Sequence, residues 1–190
     1  MNDDSPPVHL SELDEAWAHA LAEAEKKARA LGRTDIATYL ALRTSNDLLR
    51  KTGADWLQTM FATVAGEANR DGAGIQVLKE DGHRFKIGNA AMVGSRLSLA
   101  KGVRLLFVEV GWPRTPADGF IRGGGLACAN IKHRGIKSAT EQLRLVVDPS
   151  GIPRWNVQSH RGEPHEIREA DIRDHITILL HDSRNRAQRS

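Results

Sequence analysis

The sequence predicts an α+β fold. About three N-terminal helices precede a mostly antiparallel, strongly twisted sheet or partial barrel of about seven to eight strands, and one helix closes the chain. Three observations carry this expectation. Apolar residues recur at helical spacing through the first 70 residues, and from about Gly74 the period drops to two. At the end, Ile172, Ile176, Leu179 and Leu180 restore the helical stripe.

The elements follow in order. Ser11 suits a helix N-cap, with Asp14 three residues on and Leu10 placed as a hydrophobic staple. Leu13, Trp17, Leu21 and Ala28 form the stripe of that helix, and Gly32 stops it. Thr34 caps a second helix carrying Ile36, Tyr39, Leu40, Leu48 and Leu49, with Gly53 as its expected end. A third runs from about Asp55 with Trp56, Leu57, Met60, Phe61 and Val64 on one side. Ile75–Lys79 and Arg84–Ile87 then read as a hairpin around Asp81-Gly82, a favoured turn pair. Ser95–Leu99 and Val103–Val110 are joined by Lys101-Gly102. In the latter strand both faces are apolar, which predicts a central strand covered on both sides. Gly119–His133 is expected to be a Gly-rich strand region. Glu141–Val147 and the strand of Trp155 and Val157 flank the turn Asp148-Pro149-Ser150-Gly151. Pro164 is placed in the first turn of the last helix.

The expected organisation is one domain over 11–182, with a helical layer at 11–70, a sheet region at 74–158 and a helix at 165–181. Residues 1–10 are expected to be disordered and 183–190 to form a frayed basic tail. Composition bounds the rest. With 40% hydrophobic residues the 190-residue chain is not wholly disordered, and no apolar run is long enough to span a membrane as a helix. Met1 to Pro7 lacks the basic-then-apolar pattern of a secretion signal, and the single Cys128 excludes an internal disulfide. Together these point to the cytoplasm.

A net charge of +3 hides a split: residues 1–82 carry −5 and residues 83–190 carry +8. The basic half supplies the candidate binding residues. Lys132, His133, Arg134 and Lys137 crowd one strand-to-strand turn, and Arg114 and Arg122 are near in sequence. Such a group suits phosphate or carboxylate contact, Arg by paired hydrogen bonds. The plain alternative is a solvated turn whose charge discourages edge pairing. Gly119, Gly123, Gly124 and Gly125 resemble no phosphate-loop fingerprint, since no Gly-Lys-Ser/Thr and no helix follow, and glycine there reads as a bulge or a close backbone approach. His160, His165, His175 and His181 cluster late, yet with no metal-ligand spacing, and Asp171 with His175 also fits an ordinary helical pair. Cys128 sits among small residues and reads as a packed small hydrophobe.

The expected function is therefore a non-catalytic binding module. Its basic sheet half would contact an acidic protein or a nucleic-acid backbone, with no catalytic residue, metal or cofactor assigned. Two other classes stand beside it: a homo-oligomeric assembly protein built on the acidic helices, and a hydrolase with a site around His160–His175.

Overall fold

The computed structural model describes residues 10–158 and 164–181. The chain divides into two compact units that meet at Lys51 and Thr52, inside a helix. The first unit holds α1 (Leu10–Ala30) and the beginning of α2 (Thr34–Arg70). Gly32 ends α1 with φ +68°, a conformation favouring glycine, and Arg33 N–H returns to the Ala28 carbonyl at 2.9 Å. Leu21, Ala28 and Ala37 are buried, and the Arg43 guanidinium lies 5.0 Å over the Trp17 ring.

Two N-terminal helices replace the expected three, because α2 passes through Gly53 unbroken. Gly53 is there for space. A Cβ at this position would lie 2.6 Å from a Leu145 methyl, and the Gly53 carbonyl accepts a hydrogen bond from Trp155 Nε1 at 2.8 Å. The glycine lets the sheet come close; it does not stop the helix.

The second unit is a seven-stranded open antiparallel sheet with part of α2 and a C-terminal helix on one face. Its strands are β1 (Gln76–Ile87), β2 (Ala90–Lys101), β3 (Arg104–Trp112), β4 (Ala127–His133), β5 (Ile136–Val147), β6 (Pro153–Val157) and β7 (His165–Glu166). They neighbour one another in chain order, so β1 and β7 are opposite edges and the partial-barrel alternative does not hold. Such a meander needs only short connections.

Asp81-Gly82 is not a hairpin turn. β1 runs straight through it as one strand, and Gly82 (φ +73°) is the extra residue of a bulge between Asp81 and His83. The turn falls instead after Ile87, where Gly88 takes φ +58°. The β5–β6 hairpin is as expected. Asp148 organises its turn by accepting from Ser150 N–H at 2.9 Å, Ile152 N–H at 3.0 Å and Arg154 Nε at 2.7 Å. The Gly119–His133 region divides into a loop to Leu126 and then β4. The last helix, α3 (Glu169–Leu180), starts later than expected. Pro164 precedes β7, and the helix begins where the Asp171 carboxylate accepts the Arg168 N–H at 2.7 Å.

One face of the sheet is apolar. Leu97, Leu99, Leu106, Val108, Val110, Ile131, Leu143, Leu145, Trp155 and Val157 pack with Leu57, Phe61 and Val64 of α2 and with Ile172, Ile176 and Leu179 of α3. Each such side chain contributes about 1.5–3 kcal/mol by leaving water. The expectation that β3 is covered on both sides is corrected. Val103 is 94% exposed, and Leu105 and Phe107 are only half-buried on the opposite face.

Candidate functional site

The face opposite the helices carries a different chemistry, and strand register shows its order. One row of directly opposed residues crosses five strands: Glu80, Arg96, Glu109, Asn130 and Gln142. The next row crosses all seven: His83, Gly94, Gly111, Cys128, Arg144, Asn156 and Glu166. Side chains alternate between faces along a strand, so the same five strands that bury leucine and valine toward the helices present charges and amides away from them.

The two glycines in the second row are required by contact. A Cβ at Gly94 would fall 2.0 Å from the Val110 carbonyl oxygen, and one at Gly111 would fall 3.1 Å from the Phe85 ring. Phe85 lies over that gap, packed with Ala90, Met92 and Cys128. His83 stacks beside it, ring centroids 5.9 Å apart.

Glu109 is the centre of the polar row and is 8% exposed. Its Oε1 faces His83 Nε2 at 2.8 Å, and its Oε2 accepts from Lys132 Nζ at 2.7 Å and from Asn130 Nδ2 at 3.3 Å. Burial works against the ionised carboxyl. The hydrogen bonds from Lys132 and His83, with the Lys132 charge, outweigh it and hold the pKa below the ordinary carboxylate value. Arg96 donates to Glu80 Oε2 at 2.7 Å and lies 5.4 Å over the Phe107 ring. Two buried atoms in this row have no hydrogen-bond partner among the described residues: Arg96 Nε, a donor, and Asn130 Oδ1, an acceptor. Buried polar atoms of this kind normally find partners.

The six candidate binding residues are spread along the molecule. Arg114 stacks on Trp112 at 4.1 Å, and Arg122 is exposed in the loop that follows β3. Arg134 and Lys137 are exposed around the β4–β5 turn, at the opposite strand end. The seven residues of β4 separate the two ends by about 20 Å. Lys132 is near the β4–β5 end of its strand, paired with Glu109. His133, its neighbour in the chain, points to the other face and is 6% exposed.

The glycines at 123 and 125 have a spatial reason. With φ of +77° and +111°, they let the loop lie against Arg144, where added Cβ atoms would come within 2.7 Å of Nη1 and 2.8 Å of Cγ. Arg144 Nη1 in turn donates to the Gly123 carbonyl at 3.2 Å. Cys128 is buried, which pushes its thiol up to about 11 and leaves it a poor nucleophile at neutral pH.

The late histidines also separate. His160 lies outside the described residues, His165 is exposed on β7, and His181 follows α3. His175 is 4% exposed, with Nδ1 3.0 Å from His133 Nε2 and Nε2 3.4 Å from Glu141 Oε2. It faces the core, not Asp171, which caps its helix. Among the described residues no three of His, Cys, Asp and Glu are arranged to hold a metal ion. No described helix is long and apolar enough to cross a membrane.

The residues missed by sequence reasoning are Glu109, Asn130, Arg96 and His83. A faint signal was present: Glu109 and Asn130 are polar positions inside otherwise apolar strands. Comparison with protein-family models, curated proteins and solved structures finds no match.

Proposed function

We propose that the chain is a non-catalytic binding module whose working surface is the polar face of the sheet around Glu109. The observation that carries this reading is the row from Glu80 to Gln142, in which a buried guanidinium N–H and a buried amide oxygen lack partners among the described residues. Both atoms are covered in the free chain, so a partner laid across the strands would complete these bonds as the Arg96 and Asn130 side chains turn toward it, and an unmade buried hydrogen bond costs about 1–3 kcal/mol that binding would recover. Acidic groups on that partner would meet Arg122 at one strand end and Arg134 and Lys137 at the other. The lowered pKa of Glu109 favours binding over general-base chemistry, since an effective base titrates near the working pH.

The test is titration of the full chain with polyglutamate, single-stranded oligonucleotide and duplex DNA at low and at physiological ionic strength. Saturable, salt-weakened binding to at least one probe, lost in the double variant Arg134→Glu/Lys137→Glu, is the expected result. No binding to any probe at low salt would remove the acidic-partner reading.

A further inference from the structure

The buried contact between β4 and α3 is built differently from the rest of the core. His133 Nε2 and His175 Nδ1 are 3.0 Å apart, with the rings stacked at 5.3 Å between centroids. Every other α3 side chain in this core is aliphatic: Ile172, Ile176 and Leu179. The Phe61 ring closes one side of His175 at 6.0 Å, and Glu141 Oε2 stands 3.4 Å from the second nitrogen.

These positions determine the protons. Glu141 calls for an N–H on His175 Nε2, which leaves Nδ1 of the neutral ring as acceptor and makes His133 Nε2 the donor. One added proton is tolerated: His175 then donates from both nitrogens, to His133 and to Glu141, and His133 moves its own proton to Nδ1. A second proton is not. It sets an N–H of His133 against an N–H of His175, with two cations in contact and away from water.

We propose that the His133–His175 pair is an acid-operated latch, which holds α3 on the sheet while the pair carries at most one extra proton and releases it when both rings are charged. The charged surroundings are asymmetric. From β3, Arg104 adds positive charge near His133 and donates from Nη1 to the Ile178 carbonyl of α3 at 2.9 Å. From β5, Glu141 is the one carboxylate facing the pair among the described residues, and His165 of β7 acts on Glu141. From α2, Phe61 closes on His175, and no α2 charge is among those acting on His133; Glu67 of α2 meets Arg173 of α3 at 2.7 Å.

Burial, the His175 charge and the Arg104 charge, in that order, lower His133 to about 4 from an ordinary 6.5, with Glu141 opposing them. A basic group whose pKa is lower when docked than when released favours release as pH falls between the two values. Over that window the docking equilibrium of α3 weakens by up to about 300-fold, the factor set by 2.5 units of pH. Local opening of one helix while a sheet stays closed is an ordinary subglobal event.

The test is amide hydrogen exchange on the full chain, expressed as protection factors at pH 7, 5.5 and 4. The expected result is a loss of protection in α3, up to the stated factor, while Val108 and Val110 in β3 keep theirs. Protection that stays constant in α3, or falls in step with β3, would overturn the latch. His133→Leu removes both the facing N–H pair and the buried titrating ring, so the folded variant should show pH-independent α3 protection in this range; His175→Leu leaves His133 buried and should show a smaller loss than the wild type, and full loss in both would overturn the latch. If neither variant folds, the His133 ring protons of the wild-type chain decide. Their titration must coincide with the loss of α3 protection, and titration near pH 6.5 with α3 still protected contradicts the proposal.

Discussion

Glu109 and Lys132 lie on adjacent central strands, one step diagonal to direct register, with Oε2 and Nζ 2.7 Å apart. Glu109 is nearly buried, and 41% of the Lys132 side chain remains in solvent. The two ends of this pair therefore differ in cost. Glu109→Ala removes the acceptor of three donors and should destabilise the chain by about 2–3 kcal/mol. Lys132→Ala should cost about 1 kcal/mol or less, because its charge stays hydrated and screened. Urea unfolding of both single variants and the double variant measures the coupling, expected at about 0.5–1 kcal/mol. Strict additivity would show that the pair contributes nothing.

Acid should weaken the protein in two windows. His133, lowered to about 4 from 6.5, binds fewer protons folded than unfolded between those values, so its contribution is whole above about pH 6.5 and lost by about pH 4. That contribution is about 3 kcal/mol. Glu109 and Glu141 have lowered carboxyl pKa values, so their stabilisation is present above the ordinary value of 4.5 and declines only below it. Melting temperature against pH should fall in two steps, and His133→Leu should remove the upper one. A single step below pH 4.5 in the wild type would refute the assignment.

Gly53→Ala separates two physical effects of opposite sign. A mid-helix alanine ordinarily stabilises by about 1 kcal/mol over glycine. Here the new methyl would lie 2.6 Å from the Leu145 side chain, and overpacking of this kind costs about 1–3 kcal/mol. Net destabilisation is expected from thermal unfolding, together with a changed environment for Trp155 in fluorescence, since its Nε1 donates to the Gly53 carbonyl.

Cys128 should resist thiol reagents. Burial keeps the thiol protonated at neutral pH, and the side chain packs under Phe85 and Met92. Reaction with a disulfide reagent at pH 8 should proceed only at the rate of unfolding, and accelerate by orders of magnitude in denaturant. Rapid labelling of the native chain would contradict the packing.

What could be read in the sequence was local. The β5–β6 hairpin follows from Asp148 to Gly151, and the α3 stripe from Ile172 to Leu180, because turn chemistry and periodicity act over a few residues. Gly53 and Gly82 misled for the same reason. Each fits a local stop or turn rule, and each is used for a non-local purpose: contact with Leu145, 92 positions away, and a bulge opposite β2. The polar row was illegible since Glu109 meets His83 and Asn130 only through strand register, which periodicity does not determine. The basic cluster around residues 132–137 was visible, but alternation of faces sends Lys132 and His133 apart.

On the proposed function, a partner binds the face centred on Glu109. Backbone amide shift mapping of the full chain, during titration with whichever acidic probe saturates, tests it directly. The largest shifts are expected at Arg96, Glu109, Asn130, Lys132 and Gln142, on β2 to β5. Shifts confined to α1 or the outer side of α3, with this row unmoved, would contradict it.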